Sequence, residues 1–417
     1  MTDHLITVSE ARKRILEQIR PLPVVSLPLD QVLGCTLAED IAAATDLPPF
    51  TFSTMDGFAV RSVDIATASS NNPVELSLVA DLPAGIMPTR SVETGEAARI
   101  MTGAVLPPGA DAVVPMEKTN LNQPNSAFPV EKKVRVYSPV QSGAFLHTRG
   151  QDAGYGEVLI SSGTVLKAAH LGLLASLGYA QLPVYRRPLA AIISTGNELI
   201  QPGFPITPGK IYDANSYLLA SLVKQSNAFP IRLGSAPDSM EKIREKLEAA
   251  VESGADLILT SAGVSVGAFD YVRPLVLEQG TLDFWRVNLR PGKPFSFGSY
   301  RGKPIFCLPG NPISSFVTFL LFVMPALYQM AGRKNLEPIL FTARLAVPIE
   351  SDGRETYLRG KSWIENGQRF VKPLGHQGSG NLVGLSQSNA LLIMPSGVKS
   401  LPSGSEVYIQ MIDTQQE

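Results

Sequence analysis

The chain has 417 residues, with 36 Lys+Arg against 37 Asp+Glu, a formal net charge of −1, 18% charged and 44% hydrophobic residues. At roughly 150 residues per domain, that length holds about three domains with cores of their own. The composition argues against a disordered chain, and the balanced charge argues against one built to coat nucleic acid, so any anion site must be local.

The first 18 residues mix acids and bases with apolar side chains and lack the apolar h-region of a secretory signal. Cys35 and Cys307 are the only cysteines, far apart and each inside an apolar run, which suggests neither a disulfide framework nor a zinc site. Both features predict a reducing, cytoplasmic setting. Ser9, followed by Glu10, Ala11, Ile15 and Ile19 at helical spacing, predicts a short amphipathic helix with Ser9 as its N-cap. From Thr45 to Tyr137, short β-type runs such as 74–79 and 133–137 are cut by Pro83, Gly85, Pro88, Gly95, Pro107, Pro108 and Gly109, the pattern of a small all-β module. A glycine-rich passage then leads into an apolar helix over 168–177.

From Pro188 strand and helix alternate. Strands are expected at 189–194, 231–233 and 257–260, with helices capped by Asp213 (to about Lys224) and by Asp238 or Ser239 (240–252), the order of a doubly wound parallel sheet. The apolar run 316–331 is about 16 residues long, short of the ~20 needed to span a bilayer, and reads as a buried helix, so no membrane is expected. Beyond Leu336 helices should stop, and runs at 341–347, 356–358, 369–371, 390–394 and 406–411 predict a small β-barrel or sandwich. The fold class is thus α/β multidomain. Residues 1–44 and 141–187 form a discontinuous helical and linker domain, 45–140 a β-rich module, 188–335 a central mostly parallel sheet, and 336–417 the C-terminal β domain.

In doubly wound sheets, ligands sit beyond the carboxyl ends of the strands. Three loops there carry chemistry: Ser194-Thr195-Gly196-Asn197-Glu198; Thr260 to Gly267 followed by Asp270; and Leu308 to Ser315. In the second, Gly263 and Gly267 let backbone N–H groups approach an anion and Ser261 and Ser265 add hydroxyls, which suits a phosphate. It matches neither the P-loop nor the dinucleotide fingerprint. Tight strand-to-helix turns are the plain alternative. In the third, after Pro309, Gly310 and Asn311, Pro312 suits the first helical position and Ser314 falls in the first turn, where free N–H groups favour an anion; an ordinary capped helix start is the alternative.

Glu198, Asp238 and Asp270 all lie past strands on one sheet edge, although Asp238 could be only a helix cap. Two carboxylates ~4 Å apart repel by about 4 kcal/mol at an effective dielectric near 20, so convergence would call for a shared proton or a cation such as Mg²⁺. Arg286, Arg290 and Lys293 lie in a proline- and glycine-fixed turn and could face one anion or form a solvated basic loop. Three further stretches, those around Asp56, Thr102 and Arg359 with Gly375 to Ser379, are loop-borne polar motifs of the type that complete a site from another domain. Asp56-Gly57 could also be an ordinary turn, and His376 reads as a structural hydrogen-bonding residue.

Taken in order, MDGFAV (55–60), RIMTGA (99–104), STGNEL (194–199), SAGVSVGAFDY (261–271), RPGKPF (290–295), LPGNPISS (308–315) and GHQGS (375–379) resemble the molybdopterin molybdenumtransferase family, the bacterial MoeA type, similar to the E domain of gephyrin. The resemblance spans nearly the whole chain. It implies a four-domain plan with a molybdopterin-binding-like central sheet and a C-terminal β-barrel. The implied reaction converts adenylylated molybdopterin and the substrate molybdate to molybdenum cofactor and AMP, assisted by Mg²⁺. Matching positions imply a site lined by Asp56, Thr102, Glu198, Asp238, Asp270, Arg286, Arg290, Arg359 and Ser379. Glu198, Asp238 and Asp270 would be the metal ligands. Ser261, Gly263, Ser265, Gly267, Pro309 and Asn311 would hold the substrate, with Lys293, Ser314, Arg359 and Ser379 as molybdate contacts. The family's dimers draw on both subunits, which implies a homodimer with Asp56 and Thr102 against the partner's α/β domain. The molybdopterin adenylyltransferase and cofactor-accepting enzymes are further candidate partners. Departures are Arg286 and Arg290 where lysine is frequent, Asn197 for a frequent Asp, and Phe52-Ser53-Thr54 for Asn-Ser-Ala. The alternatives are the adenylyltransferase itself and a gephyrin-like peptide-binding scaffold.

Overall fold

The computed structural model describes residues 5–122, 132–262 and 271–412. Its chain divides into two compact units, one of Met1–Glu39, Ser162–Ala175 and Tyr179–Glu417, the other of Asp40–Ser161 and Ser176–Gly178.

In the first unit, helix α1 (Val8–Gln18) is capped by Thr7, whose Oγ1 accepts the Glu10 N–H at 3.1 Å. Ser9, the expected cap, instead lies inside the first turn. The buried stripe begins at Val8 and continues through Ala11, Ile15 and Ile19, so the cap must precede Val8. That stripe packs into the core shared with Ile192, Leu259, Phe306 and Phe319.

The central sheet uses strands β1 (Leu189–Thr195), β2 (Phe229–Ala236), β3 (Leu257–Ser261), β4 (Gly280–Phe284), β5 (Ser296–Tyr300) and β6 (Lys303–Leu308), ordered β2-β1-β3-β6-β5-β4. The first four in that order are parallel, and β5 and β4 add antiparallel strands at one edge. Helices α2 (Asn215–Gln225) and α3 (Met240–Glu252) make the crossovers that parallel pairing demands. β4 and β5 had no counterpart in the sequence reading, because Gly280, Gly298 and the intervening basic turn mask the apolar alternation. Register aligns the strand tips, with Ser194 opposite Ser261 and Ser261 opposite Leu308. The loops that follow β1, β3 and β6 therefore leave the sheet at one level.

The apolar run belongs to a longer helix, α4 (Pro312–Met330), which begins at the proline and spans 19 residues. It is long and apolar enough to cross a membrane, but 78% of its most apolar window is buried in the protein core. A π-helical turn, Phe319–Val323, precedes Pro325 and accommodates its missing N–H and its ring. Beyond it, β7 (Leu340–Leu345), β8 (Glu355–Glu365), β9 (Gln368–Pro373), β10 (Ala390–Met394) and β11 (Glu406–Met411) close into a five-stranded barrel through the β8–β10 pairing. Leu345, Val371, Leu392 and Ile409 fill it. A short helix, Leu382–Ser386, interrupts this region, where none was expected. It is started by Asn381, whose Oδ1 accepts the Gly384 N–H at 3.0 Å.

The second unit is built on a five-stranded sheet of Ala112–Pro115, Gly57–Val60, Glu96–Ile100, Val74–Leu82 and Lys133–Val136, in that order, over a core of Phe58, Val60, Leu76, Val114 and Val134.

Candidate active site

The three aligned loops border one cleft, whose lining includes Thr195, Glu198, Asp213, Asn215, Ser261 and Gly310. The loop after β1 turns at Gly196, with φ at +149°; a Cβ there would lie 2.5 Å from Glu198 Oε2, so the Glu198 carboxylate folds back over the glycine. Asn197 and Asp238 are tied reciprocally: the Asn197 N–H donates to Asp238 Oδ2 at 3.2 Å and the Asp238 N–H to Asn197 Oδ1 at 3.1 Å. Asp238 thus belongs to the strand-tip loop next to Glu198, and Ser239 takes the N-cap position of α3.

After β3, Ala262 is held at φ +80°, a conformation costly for a residue with a Cβ. Its N–H donates to Leu308 O at 3.0 Å, which binds the β3 and β6 loops together. Gly263, Ser265, Gly267 and Asp270 lie outside the described residues. Among the described residues, no three His, Cys, Asp or Glu side chains are grouped to hold a metal ion.

The floor of the cleft holds two residues that sequence reasoning did not assign to the site. Asp213 is 1% exposed and its Oδ1 accepts the Ser194 hydroxyl and the Ser216 N–H, each at 3.0 Å. Asn215 Nδ2 donates to Ser261 Oγ at 2.6 Å and to Gly310 O at 2.7 Å, crossing from α2 to two strand-tip loops. In the sequence, Asp213 reads completely as a helix-start residue, so nothing local pointed to its second role.

The start of α4 is partly satisfied by protein. The Ile313 N–H donates to Ser379 O at 3.0 Å, and Ser315 Oγ donates to Pro309 O. Ser314 is buried, while Asn311 is exposed. Ser379 is thereby fixed against the first turn through its backbone. Its loop is anchored by Arg359, 1% exposed, whose Nη1 donates to Asn381 O at 2.8 Å and Nη2 to His376 O at 2.6 Å. Burial pushes the Arg359 pKa below the ordinary arginine value. Gln377 completes the clamp, accepting the Arg359 N–H at 3.0 Å and donating to Arg359 O at 3.1 Å and Leu374 O at 3.0 Å. His376 Nδ1 accepts the Gly378 N–H at 3.1 Å, a structural role.

Of the basic segment, Arg286 is half-buried, Lys293 is exposed, and Arg290 stands 3.7 Å from Asp352 Oδ2. The Asp352 pKa is lowered to about 2, first by its hydrogen bonds from the Arg354 side chain. The turn depends on Gly292: φ is +120°, and a Cβ would meet Thr318 Cγ2 at 2.7 Å and Leu289 Cδ2 at 2.9 Å. Gly292→Ala is expected to cost about 2 kcal/mol of unfolding free energy, read from the urea midpoint. A midpoint equal to that of the unaltered chain would contradict the crowding.

In the second unit, Asp56 and Thr102 are brought together: the Thr102 N–H and Oγ1 donate to Asp56 Oδ1 at 2.7 and 2.8 Å. These bonds, the backbone one first, lower the Asp56 pKa. A lowered carboxyl pKa adds stability above the unfolded value of about 3.9 and loses it as pH falls through the folded value. Thr102→Val removes one donor, so its urea midpoint is expected to fall below that of the unaltered chain at pH 7 and to converge with it below about pH 4. A gap that stays constant with pH would remove the carboxylate from the effect.

Residues 6–178 match the MoeA N-terminal region (domain I and II), 191–329 a probable molybdopterin binding domain, and 342–412 the MoeA C-terminal region (domain IV). The chain is 38% identical to a molybdopterin molybdenumtransferase of Nostoc sp. over 383 residues, 90% of this chain and 86% of the relative. It is 34% identical to one from Haemophilus influenzae over 411 residues, 97% and 98% of the two chains. A crystal structure of the molybdopterin biosynthesis MoeA protein from Pyrococcus horikosii superposes with a TM-score of 0.82 at 31% identity, covering 98% of this chain and 100% of the other.

Proposed function

This chain belongs to the molybdopterin molybdenumtransferase family, enzymes of molybdenum cofactor biosynthesis, and on that premise we propose that it inserts molybdenum from molybdate into adenylylated molybdopterin, releasing AMP with the help of Mg²⁺. The observation that supports this reading is the convergence of three strand-tip loops, carrying Glu198, Ser261 and Gly310, on one cleft.

In the proposed reaction an oxygen of molybdate or water attacks the anhydride phosphorus and AMP leaves, while the two sulfurs of the substrate's own dithiolene replace two molybdate oxygens with net release of one water, so no protein nucleophile is required. The protein's part is to bind and orient. Ser261 and the buried Ser314 place hydroxyls at two of the loops, and Lys293 and Arg286 supply positive charge for tetrahedral oxyanions. Glu198 is exposed at the cleft and Asp238 is tied to its chain neighbour Asn197, and their carboxylates are hard oxygen donors of the kind that suits Mg²⁺. Together with Asp270 they would hold the ion, which when bound neutralises charge on the phosphate oxygens. The proposal includes a cytoplasmic homodimer in which Asp56 and Thr102 act on the partner's α/β domain. The three regional matches reach well beyond the α/β domain, which favours the transferase over the adenylyltransferase.

Purified chain mixed with adenylylated molybdopterin, molybdate and Mg²⁺ is expected to release AMP and molybdenum cofactor in equal amounts. Molybdenum insertion without AMP release, or no turnover, would overturn the proposal.

A further inference from the structure

The cleft floor contains two buried acceptor atoms whose needs the described residues leave unmet. Asp213 Oδ2 and Asn215 Oδ1 have no hydrogen-bond partner among the described residues, although the two side chains are only 1% and 9% exposed. The orientation of Asn215 is fixed, because Gly310 O can only accept and so requires the amide nitrogen at that end. Its oxygen must then point the other way. Asp213 Oδ1 is already saturated by Ser194 and Ser216, so its charge is offered through Oδ2 alone. Leaving such atoms unpaired in a buried setting is costly, and more so for a charged one. Both belong to residues lining the cleft.

We propose that Asp213 and Asn215 form a subsite for the N–H donor edge of a planar heterocycle, the 2-amino-4-oxopyrimidine edge of a pterin. That edge offers an exocyclic amine and a ring N–H side by side, which matches one carboxylate oxygen and one amide oxygen set two residues apart at the turn into α2. A phosphate does not suit this position, since it would bring negative charge against the Asp213 carboxylate; the phosphate end of the substrate belongs at the glycine and serine loops. Leu199, Ile211 and Tyr212, which line the same cleft, supply the apolar surface against which a flat ring packs. The assignment rests on the cleft being a molybdopterin site, and adds which residues select the ring.

The test measures molybdopterin binding to the full chain and its displacement by 6-hydroxymethylpterin and by 6-hydroxymethyllumazine, in which an oxo group replaces the 2-amino group. The pterin is expected to displace molybdopterin at least about tenfold better than the lumazine, because the lumazine sets an acceptor against acceptors. Asp213→Asn keeps the side chain's shape, replaces the open acceptor with a donor, and is expected to weaken molybdopterin binding about thirtyfold and to erase the preference. Equal displacement by the two compounds, displacement by neither, or unchanged affinity in Asp213→Asn with its unfolding midpoint preserved would overturn the subsite while leaving the molybdopterin site standing. Mg²⁺ alone binding the unaltered chain but not Asp213→Asn, with the pterin preference intact, would assign the acceptors to a cation and overturn it too. An unaltered chain that fails to bind molybdopterin would sink the functional reading on which it rests. The comparison of the two heterocycles uses the unaltered chain, so a variant that does not fold does not remove the test.

Discussion

Arg359→Ala is expected to lower the unfolding free energy by about 3 kcal/mol and to raise the molybdate concentration needed for half-maximal turnover about tenfold. The guanidinium is 1% exposed and donates to His376 O and Asn381 O, so its loss leaves a void and strips two carbonyls of their donors. The second effect follows from the first. The loop it clamps carries Ser379, whose carbonyl receives the Ile313 N–H at the start of α4, so loosening the loop disturbs the turn that holds Ser314. Arg359→Lys keeps the charge but is a single point donor that cannot span both carbonyls, and should recover less than half of the lost stability. Two measurements separate the roles. If stability falls while the molybdate requirement stays unchanged, Arg359 is a structural residue only; if neither moves, the clamp is not what holds the loop.

Glu198→Ala should behave in the opposite way, with the fold kept and turnover reduced about a hundredfold. The side chain is exposed at the cleft and folded over Gly196, so removing it should change the unfolding free energy by no more than about 0.5 kcal/mol. What it removes is one of the carboxylates assigned to Mg²⁺, so turnover in the variant should also need more Mg²⁺ for half-saturation. Turnover within about threefold of the unaltered chain would take Glu198 out of the chemistry. A large loss of stability instead would mean that Glu198 holds the loop, and that the activity effect is indirect.

Much of the architecture was legible because it is written in short-range patterns. The Ala11, Ile15, Ile19 spacing marks a helix with one buried face, and the alternation of apolar runs with capped helices from Pro188 onward marks a parallel sheet. The strand-tip loops at Ser194 and Leu308 were visible for the same reason, since a glycine or proline directly after an apolar run marks where a strand must end. The antiparallel strands Gly280–Phe284 and Ser296–Tyr300 were not, because their pairing partners are each other and Lys303–Leu308, and nothing within each run declares it.

The sequence by itself therefore determined the parallel strands of the sheet, which loops leave its carboxyl edge, and which family-matched residues those loops carry. Only the tertiary structure decided what those residues face. It set Asp238 beside Asn197, spent the hydrogen bonds of Arg359 on a loop, paired Arg290 with Asp352, and brought Asp213 and Asn215 to the cleft floor with one acceptor each left open by the described residues. Backbone propensity acts over a few neighbours in the chain, whereas the unmet needs of buried polar groups are set by contacts from distant segments, and those contacts exist only once the chain has folded.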